Sequence, residues 1–287
     1  MRVIAKDTRF ECRPGLGEVL RENPRLVIAL NHSTPLSWLP AVSLLCAHAA
    51  ARGGGHRRPI GIMDNFFFHV PFIRDIAAAI TQHEKPLSFF ELADRFEKLG
   101  DIDLVLFPEG SNCFFGNFAE VQEFRSPRFV ELAIRAGAPI LIGAHLGSER
   151  WARSVAFPES WVDQLALLPG AIHHFLERRL RSTGKLVVPL VPKPMERFEL
   201  LCELYHPRLQ KEDLSEDEAI RREQIREEAA LVHAKMTSLL RELHAGISQP
   251  KLAAPPVGEV RNRYDEKSKQ DPMSRNDLRN SDIEHGL

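Results

Sequence analysis

The sequence predicts an α/β fold, a single domain in which helices flank a mainly parallel sheet. Short apolar runs recur through the first two-thirds of the 287 residues, and helical patterns alternate with them. Continuous apolar runs are typical of strands buried on both faces, and their alternation with helices favours parallel strands. With 44% hydrophobic residues, the chain can bury the core that such a domain needs. We therefore assign residues 1–249 to one domain.

The individual elements follow from these runs and patterns. Apolar runs predict strands at 26–30 (LVIAL), 59–63 (PIGIM), 104–107 (LVLF), 139–144 (PILIGA) and 186–191 (LVVPLV). Apolar residues at three- and four-residue spacing predict helices at 39–51, 72–80, 87–99, 127–136 and 164–180. Each strand is expected to be buried on both faces.

A long helix is predicted at 215–246, after the last strand. Ser215 and Glu218 have the spacing of a capping box, and Gly246 is the predicted end. One face is apolar, which predicts that the helix docks on the domain. The residues of this face are Ile225, Ala229, Val232, Met236, Leu239 and Leu243. Beyond the helix the composition becomes polar and charged, so residues 250–287 are expected to form a disordered tail.

Charge and cysteine content exclude several classes of protein. Lys plus Arg total 38 and Asp plus Glu total 39, so no overall positive field attracts nucleic acid. The four cysteines are scattered without a CxxC pair, which suggests neither a zinc knuckle nor a disulfide framework. No secretory segment precedes them, so we expect a reducing, cytoplasmic compartment.

Membrane contact is expected at the bilayer surface. The longest apolar stretches, 37–51 and 165–175, are shorter than the roughly 20 residues that span a bilayer. Two segments are candidates for peripheral contact: the phenylalanine-rich 65–72 (NFFFHVPF) and the helix at 164–180, which has a basic end. Both also have an explanation within the domain, the first as core and the second as a helix whose cations complement its dipole. We expect a protein that lies on the cytoplasmic face of a membrane.

Two polar segments follow predicted strands directly. Asn31 and His32 come after the strand at 26–30, and Glu109 stands between Pro108 and Gly110 after the strand at 104–107. Pro108 cannot extend a strand, and Gly110 tolerates unusual backbone angles, so Glu109 is predicted to lie in a tight turn. The carboxyl ends of strands in open α/β sheets are where ligands gather. Each segment by itself is also compatible with an ordinary turn.

Taken together, these segments resemble a known family. Asn-His followed some seventy-odd residues later by a strand and FPEG resembles the PlsC-type glycerolipid acyltransferases, related to 1-acylglycerol-3-phosphate acyltransferase. Three further blocks are similar to that family in the same order: HVPFIRDIAAAI at 69–80, GAPILIGAH at 137–145, and VVPLVPKPMERFELLCELYHP at 187–207, similar to the family's closing strand pair. The resemblance covers roughly residues 25–210 and implies a glycerolipid acyltransferase-like fold.

The resemblance also implies an activity and a site. It implies transfer of a fatty acyl group from an acyl thioester, acyl-CoA or acyl carrier protein, to a lipid hydroxyl, without a metal or further cofactor. His32 is the implied general base, and Asn31 a supporting neighbour. Glu109, Gly110 and Ser111 are implied to bind the acceptor. The alternative is a catalytically weak or inactive member that binds acyl or lipid groups.

One departure from the family concerns the partner of the histidine. The family pattern is His, four residues, then Asp, whereas this chain has Ser37 at that position. An orienting carboxylate fixes the imidazole tautomer and stabilises the imidazolium. A serine hydroxyl is a weaker, neutral partner for His32; alternatively, Ser37 caps the helix that follows. The candidates to replace the missing carboxylate are Asp64, Asp75 and Glu109.

A second departure concerns phosphate. Ser111 and Asn112 stand where phosphate-using members commonly have an arginine, and 81–83 (TQH) stands where the second block usually ends in one. Neutral side chains cannot supply the charge that a phosphate monoester requires. The expected acceptor is therefore a neutral glycerolipid, another lipid alcohol or an aminolipid. The candidates to take the place of the missing arginine in space are Arg57, Arg58, Arg74 and Arg125.

Sequence patterns of other enzyme classes do not fit. A serine hydrolase would need a GxSxG elbow, which the chain lacks, and a dinucleotide site would need GxGxxG after the first strand. The glycine run at 53–55 follows a helical pattern instead, so a flexible connection is expected there. His173 and His174 are adjacent on a predicted helix, point about 100 degrees apart and are weak metal ligands.

Overall fold

The structure is a computed structural model of the chain. It describes residues 4–63, 68, 73–99, 102–116, 118, 120–162, 170–190 and 192–248, and for 73, 159, 170–175, 247 and 248 the backbone alone. The predicted tail at 250–287, and the segment 65–72 apart from Phe68, lie outside these residues. Within the described part of the chain, no helix is both long enough and apolar enough to cross a membrane.

The described residues form eight strands and eight α-helices. The strands are β1 (Ala5–Arg13), β2 (Leu26–Leu30), β3 (Arg58–Gly61), β4 (Ile102–Leu106), β5 (Ile140–Leu146), β6 (Ala152–Ala156), β7 (Lys185–Pro189) and β8 (Met195–Tyr205). The helices are α1 (Leu16–Glu22), α2 (Trp38–Ala49), α3 (Ile73–Thr81), α4 (Phe89–Lys98), α5 (Arg128–Arg135), α6 (Glu159–Val162), α7 (Gly170–Thr183) and α8 (Glu218–Ser248).

Six of these strands form one sheet in the order β1-β8-β5-β2-β4-β3. Every neighbouring pair is parallel except β5 with β8, which is antiparallel. The predicted α/β fold with a mainly parallel sheet flanked by helices is therefore confirmed. The strands β2, β4 and β5 are buried along their whole length, as continuous apolar runs predict. For the strand predicted at 59–63 the expected burial is wrong, because β3 is at the edge of the sheet and its residues are exposed or half-buried.

The strand predicted at 186–191 corresponds to β7, which lies outside this sheet. It pairs with β6 in a separate antiparallel ribbon. Val187 is buried, but Val188 and Pro189 are exposed, so the expected burial on both faces is wrong for this strand. The apolar run reflects a preference for extended backbone but does not determine the partner strand. Proline has no backbone N–H to donate, so within sheets it is found mainly on edge strands such as this one.

Three strands were not predicted from apolar runs. β8 falls within the segment that is similar to the family's closing strand pair. β1 has the sequence AKDTRFECR and β6 the sequence ARSVA, both with mostly exposed or half-buried residues. Such edge strands carry charged side chains and lack the apolar signal of a central strand.

The C-terminal helix α8 confirms the predicted docking but not the predicted ends. All six residues of its predicted apolar face are buried in the core that also contains β5 and α5. The side chain of Asp217 accepts from the Ala219 and Ile220 amides, whereas the Ser215 hydroxyl accepts from the amide of Asp217, so the predicted capping box is not formed. The helix also continues through Gly246 to Ser248.

The two faces of the sheet are covered by different helices. One face packs against α4, α5 and α8, and the other against α1 and α2. Full burial of one leucine or isoleucine side chain contributes about 1.5–3 kcal/mol, so the buried runs of β2, β4 and β5 anchor the sheet. Their carboxyl ends are thereby held rigidly at one edge, where the polar segments predicted from the sequence begin.

Candidate active site

The carboxyl ends of three neighbouring strands meet at this edge. The register pairs Ala29 of β2 with Leu106 of β4, so these two strands end almost level, and Leu30 of β2 with Gly143 of β5, which continues for three more residues to Leu146. The segment after β2 contains Asn31 and His32, and the turn after β4 contains Glu109 and Gly110. The structure therefore brings the two sequence motifs together, as expected for an open α/β sheet.

His32 is half-buried at the centre of this edge. Its backbone amide donates to Oε1 of Glu109 over 2.6 Å, and its ring packs edge-on against Phe107 with 4.9 Å between centroids. Nε2 lies 4.0 Å from Sγ of Cys113. Nδ1 is buried and has no hydrogen-bond partner among the described residues. The histidine is thus held by its backbone, with its ring free of any charged partner.

Burial makes His32 a weakly basic imidazole. Loss of solvent lowers its pKa to about 4, and the nearby backbone of Thr34 partly offsets this lowering. The Thr34 backbone forms no hydrogen bond with Nδ1. The ring is therefore neutral at pH 7 and can accept a proton. Burial raises the pKa of the Cys113 thiol well above its ordinary value, and the Glu109 carboxyl raises it further. A neutral thiol beside a neutral imidazole differs from the ion pair of cysteine-dependent enzymes.

Asn31 is fastened to His145, a residue that the sequence analysis did not select for the site. The His145 amide donates to Oδ1 of Asn31 over 2.8 Å, and Nδ2 of Asn31 donates to the His145 carbonyl over 3.4 Å. The ring of His145 makes a third contact, 2.8 Å from Nε2 to the Asn31 carbonyl. These bonds join the ends of β2 and β5. The only sequence signal for His145 was its place at the end of the block at 137–145.

His145 is itself fully buried and stacks against Phe198. Burial lowers its pKa to about 3, the charge that His32 can carry lowers it further, and the bond to Asn31 opposes both effects. Because the ring stays neutral, Nε2–H donates to the Asn31 carbonyl, and Nδ1 is left without a partner among the described residues. The role of His145 in the structure is to hold the strand end from which His32 projects.

The next residue, Ser33, is held in the same way. Its hydroxyl lies 3.1 Å from that of Ser148, which follows β5, and both residues are buried. Three successive residues are therefore each bonded to a residue far away in sequence: Asn31 to His145, His32 to Glu109, and Ser33 to Ser148. This backbone brace fixes the position of His32 without touching its ring.

Glu109 is fully buried in this brace. Oε1 accepts from the His32 amide over 2.6 Å and Oε2 from the Gln122 amide over 2.8 Å. Burial raises its pKa to about 7, although both hydrogen bonds favour the ionised form and limit the rise. The carboxyl group supports the His32 backbone from inside the protein. Contact of Glu109 with an acceptor stays a prediction.

The turn after Glu109 brings an arginine to the site. Gly110 has φ 52°, the left-handed region that favours glycine, and a Cβ there would contact the side chain of Arg125 at 3.4 Å. Nη1 of Arg125 donates to the Ser111 hydroxyl over 3.3 Å, and its amide donates to the Pro108 carbonyl over 2.8 Å. Arg125 is thus the one of the four candidate arginines that reaches the FPEG turn.

The other candidate arginines lie elsewhere. Arg57 is buried in an ion pair with Asp103 at the amino end of β4, the edge of the sheet opposite His32. Arg58 is exposed at the amino end of β3. Arg74 is exposed and pairs with Asp75 on α3. A cavity of about 210 Å³ beside Arg57 and Asp103 lies at this same opposite edge and is separate from the candidate site.

Ser37 forms neither of the two hydrogen bonds expected of it. It is fully buried, and its hydroxyl accepts from the Thr34 amide over 3.4 Å. The side chain forms no capping bond to α2, because the backbone at Ser37 is already helical, and it forms no hydrogen bond with the His32 ring. Of the possible replacement carboxylates, Asp75 is exposed, Glu109 bonds the His32 amide, and Asp64 lies outside the described residues.

The fold and site define an α/β protein with a braced, neutral histidine at the carboxyl edge of its sheet. Among the described residues, no group of three or more His, Cys, Asp or Glu side chains is arranged to hold a metal ion. Comparison with protein-family models, curated proteins and solved structures finds no match to this chain.

Proposed function

We propose that this protein is an O-acyltransferase that moves a fatty acyl group from acyl-CoA or acyl carrier protein to a lipid hydroxyl on the cytoplasmic face of a membrane. The observation that carries the proposal is the hydrogen bond between the His32 amide and Glu109, 77 residues apart. This bond unites the NH and FPEG motifs, on which the resemblance to glycerolipid acyltransferases rests. The His32 imidazole beside this bond is half-buried and fixed in position, which supports its role as a general base toward a bound substrate.

In the proposed reaction, the neutral His32 ring takes the proton of the acceptor hydroxyl while the oxygen attacks the thioester carbonyl. The new ester bond forms as the carbon–sulfur bond breaks, and the imidazolium returns the proton to the leaving thiolate. For Nε2 to accept this proton, the neutral ring must carry its hydrogen on Nδ1. Asn31, Glu109 and Ser33 contribute by keeping the backbone of His32 in place.

The acceptor end of the site combines neutral groups with one cation. Ser111 offers a hydroxyl, whereas Asn112 is turned inward and donates to the Glu123 carbonyl over 2.8 Å. Arg125 lies beside Ser111 and is the nearest described counterpart of the arginine that this turn lacks. The neutral groups support a neutral lipid alcohol as acceptor, and Arg125 supplies a reason to include phosphorylated acceptors in the test.

The test is a transfer assay with purified protein, labelled acyl-CoA or acyl carrier protein, and a panel of neutral and phosphorylated lipid alcohols. We expect His32→Ala to lower kcat by about 10²–10⁴, the usual contribution of a general base. His206→Ala is the matched control, because His206 is exposed at the opposite edge of the sheet, after β8. Transfer by the His32→Ala variant at the parent rate would remove His32 from the mechanism.

A second candidate function is acyl or lipid binding with little turnover. The observation that favours it is the buried Nδ1 of His32, which has no carboxylate partner among the described residues. This candidate predicts acyl-CoA binding by calorimetry with equal affinity in the parent and in His32→Ala, and no transfer to any acceptor. Measurable transfer that depends on His32 would exclude it.

A further inference from the structure

The segment between β5 and β8 builds a small unit beside the main sheet. The strands β6 and β7 form its ribbon, and α6 and α7 lie between them in sequence. Its interior is a separate apolar cluster in which Phe115, Val162 and Leu180 are buried. Several large apolar side chains of this unit are exposed to solvent.

Four exposed apolar side chains and one arginine form what we call the ribbon surface: Val155, Trp161, Val188 and Leu190, with Arg153. The exposed fractions are 42% for Val155, 57% for Trp161, 38% for Val188 and 43% for Leu190. The register pairs Arg153 with Val188, and Val155 lies two residues along from Arg153, so these three side chains share one face of the ribbon. Exposed large apolar side chains grouped on one small unit favour an interaction site there.

The ribbon surface carries a positive charge from Arg153. Arg178 on α7 and Lys185 on β7 are also exposed cations of this unit, although the register pairs Lys185 with Ala156 and so places it on the opposite face of the ribbon. None of these three cations forms an ion pair with an acidic side chain of the described residues, so their charges face solvent. An exposed tryptophan and aliphatic side chains among unpaired cations are the combination that binds the interface of an anionic bilayer.

The unit that carries the ribbon surface adjoins the candidate active site. Phe115, in the interior of the ribbon unit, directly follows the turn at 110–114. Cys113 in that turn lies 4.0 Å from Nε2 of His32. A bilayer that contacts this unit is then on a part of the molecule that adjoins the edge of the sheet at which the acceptor must enter.

We infer that the ribbon surface docks on an anionic lipid bilayer and presents the site to acceptors within it. The purpose of this docking rests on the proposed acyl transfer, but the docking itself does not. The surface differs from the segments that the sequence suggested, 65–72 and 164–180, because its anchors are on β6, α6 and β7. Apolar contact supplies the attraction to lipid, and the cations favour anionic headgroups.

Vesicle sedimentation tests the inference. Full-length protein is mixed with vesicles of phosphatidylcholine alone or with about 30 mol% phosphatidylglycerol, and we expect binding to the anionic vesicles to be at least about tenfold tighter. The double variant Val155→Thr, Val188→Thr keeps β-branched side chains in the ribbon and is expected to lower binding about tenfold. Ile220→Thr is its control, because Ile220 is equally exposed at the start of α8.

Charge and fluorescence give independent measurements. Arg153→Glu is expected to lower binding to the anionic vesicles by about tenfold or more, and Arg241→Glu, an exposed position on α8, to leave it unchanged. Tryptophan emission of the parent should shift to shorter wavelength on binding, and Trp161→Phe should abolish most of this shift, since Trp151 is already buried and Trp38 is half-buried at the start of α2, away from the ribbon.

Three results would overturn the inference: no binding of the parent to anionic vesicles, equal losses in the ribbon and control variants, or a dimer that forms through this surface without vesicle binding. Acyl transfer to a water-soluble, short-chain acceptor distinguishes failure of the docking inference from failure of the proposed acyltransferase function. We expect the Val155→Thr, Val188→Thr variant to keep the parent rate with that acceptor and to lose rate with acceptors in vesicles. If no acceptor is acylated at all, the vesicle result still decides the docking.

Discussion

Replacing Ser37 with aspartate tests whether the His32 ring lacks only an orienting charge. Ser37 is fully buried and stands where the acyltransferases that the sequence resembles have an aspartate, while Nδ1 of His32 is buried without a hydrogen-bond partner among the described residues. A carboxylate at position 37 would accept the Nδ1–H bond and place a negative charge beside the ring. It would also keep an oxygen for the Thr34 amide, which now donates to the serine hydroxyl.

The expected magnitude follows from the pKa of the base. Burial holds the pKa of His32 at about 4. Returning it to its ordinary value of about 6.5 stabilises the imidazolium by about 3.4 kcal/mol. A stronger base that remains neutral at pH 7.5 should raise the rate at least about tenfold, and a fixed tautomer can add up to about 10⁴. We expect Ser37→Asp to fall within this range above the parent.

The assay is kcat/KM for acyl transfer from pH 3.5 to 9. The base must be neutral to act, so activity is lost as the pH falls through the pKa of His32. The parent should lose half its activity near pH 4 and the Ser37→Asp variant near pH 6.5. Ser37→Asn is the matched control, because asparagine has the shape of aspartate without its charge and should leave the pH profile at that of the parent.

A folded Ser37→Asp protein whose rate and pH profile equal those of Ser37→Asn would refute this reasoning. That result would mean that position 37 does not face Nδ1, or that the rate does not depend on the basicity of His32. Proton chemical shifts of the His32 ring would separate the two explanations, because they report its pKa without substrate.

Three further predictions concern the brace around the site. Glu109→Gln leaves one acceptor oxygen for two backbone amides, so the free energy of unfolding in urea at pH 6 should fall by about 1–3 kcal/mol. The pKa of the parent carboxyl is about 7 in the folded protein and 4.5 in the unfolded chain, so the parent loses stability as the pH rises through 7. The difference in unfolding free energy between parent and variant should therefore be smaller at pH 9. His145→Phe removes the hydrogen bond to the Asn31 carbonyl and also an imidazole whose pKa is about 3 in the folded protein. Below about pH 6.5, such a buried histidine lowers the free energy of unfolding by up to about 1.4 kcal/mol per pH unit. The variant should therefore lose less stability than the parent as the pH falls. Gly147→Ala should lower thermal stability by more than about 2 kcal/mol, because φ is 119° and a Cβ would overlap the Arg197 carbonyl.

Much of the fold was predictable because it depends on local patterns. The runs at 26–30 and 104–107 are apolar along their whole length, and a strand inside a parallel sheet needs that composition on both faces. The apolar face of α8 was predicted equally well from its three- and four-residue spacing. The edge strands β1 and β6 were missed for the same reason, since solvent on one side removes the apolar signal.

The site was predictable only as far as the positions of its motifs. Asn31, His32 and Glu109 follow buried strands, and parallel strands bring their carboxyl ends to one edge. The direction of each side chain was not predictable. The Glu109 carboxyl bonds the His32 amide instead of the ring, and His145 holds Asn31 across 114 residues of sequence.

The sequence by itself determined that the chain is an α/β protein with polar motifs at strand ends, because hydrophobic periodicity is written along each element. Only the tertiary structure decided which groups touch: that the Ser37 hydroxyl bonds the Thr34 amide, that His145 fastens β5 to β2, and that β7 leaves the sheet to expose Val188. Such contacts depend on the register between strands distant in sequence and on the solvent that each side chain loses. Neither the strand register nor the burial of a side chain can be read from the residues next to it in the sequence.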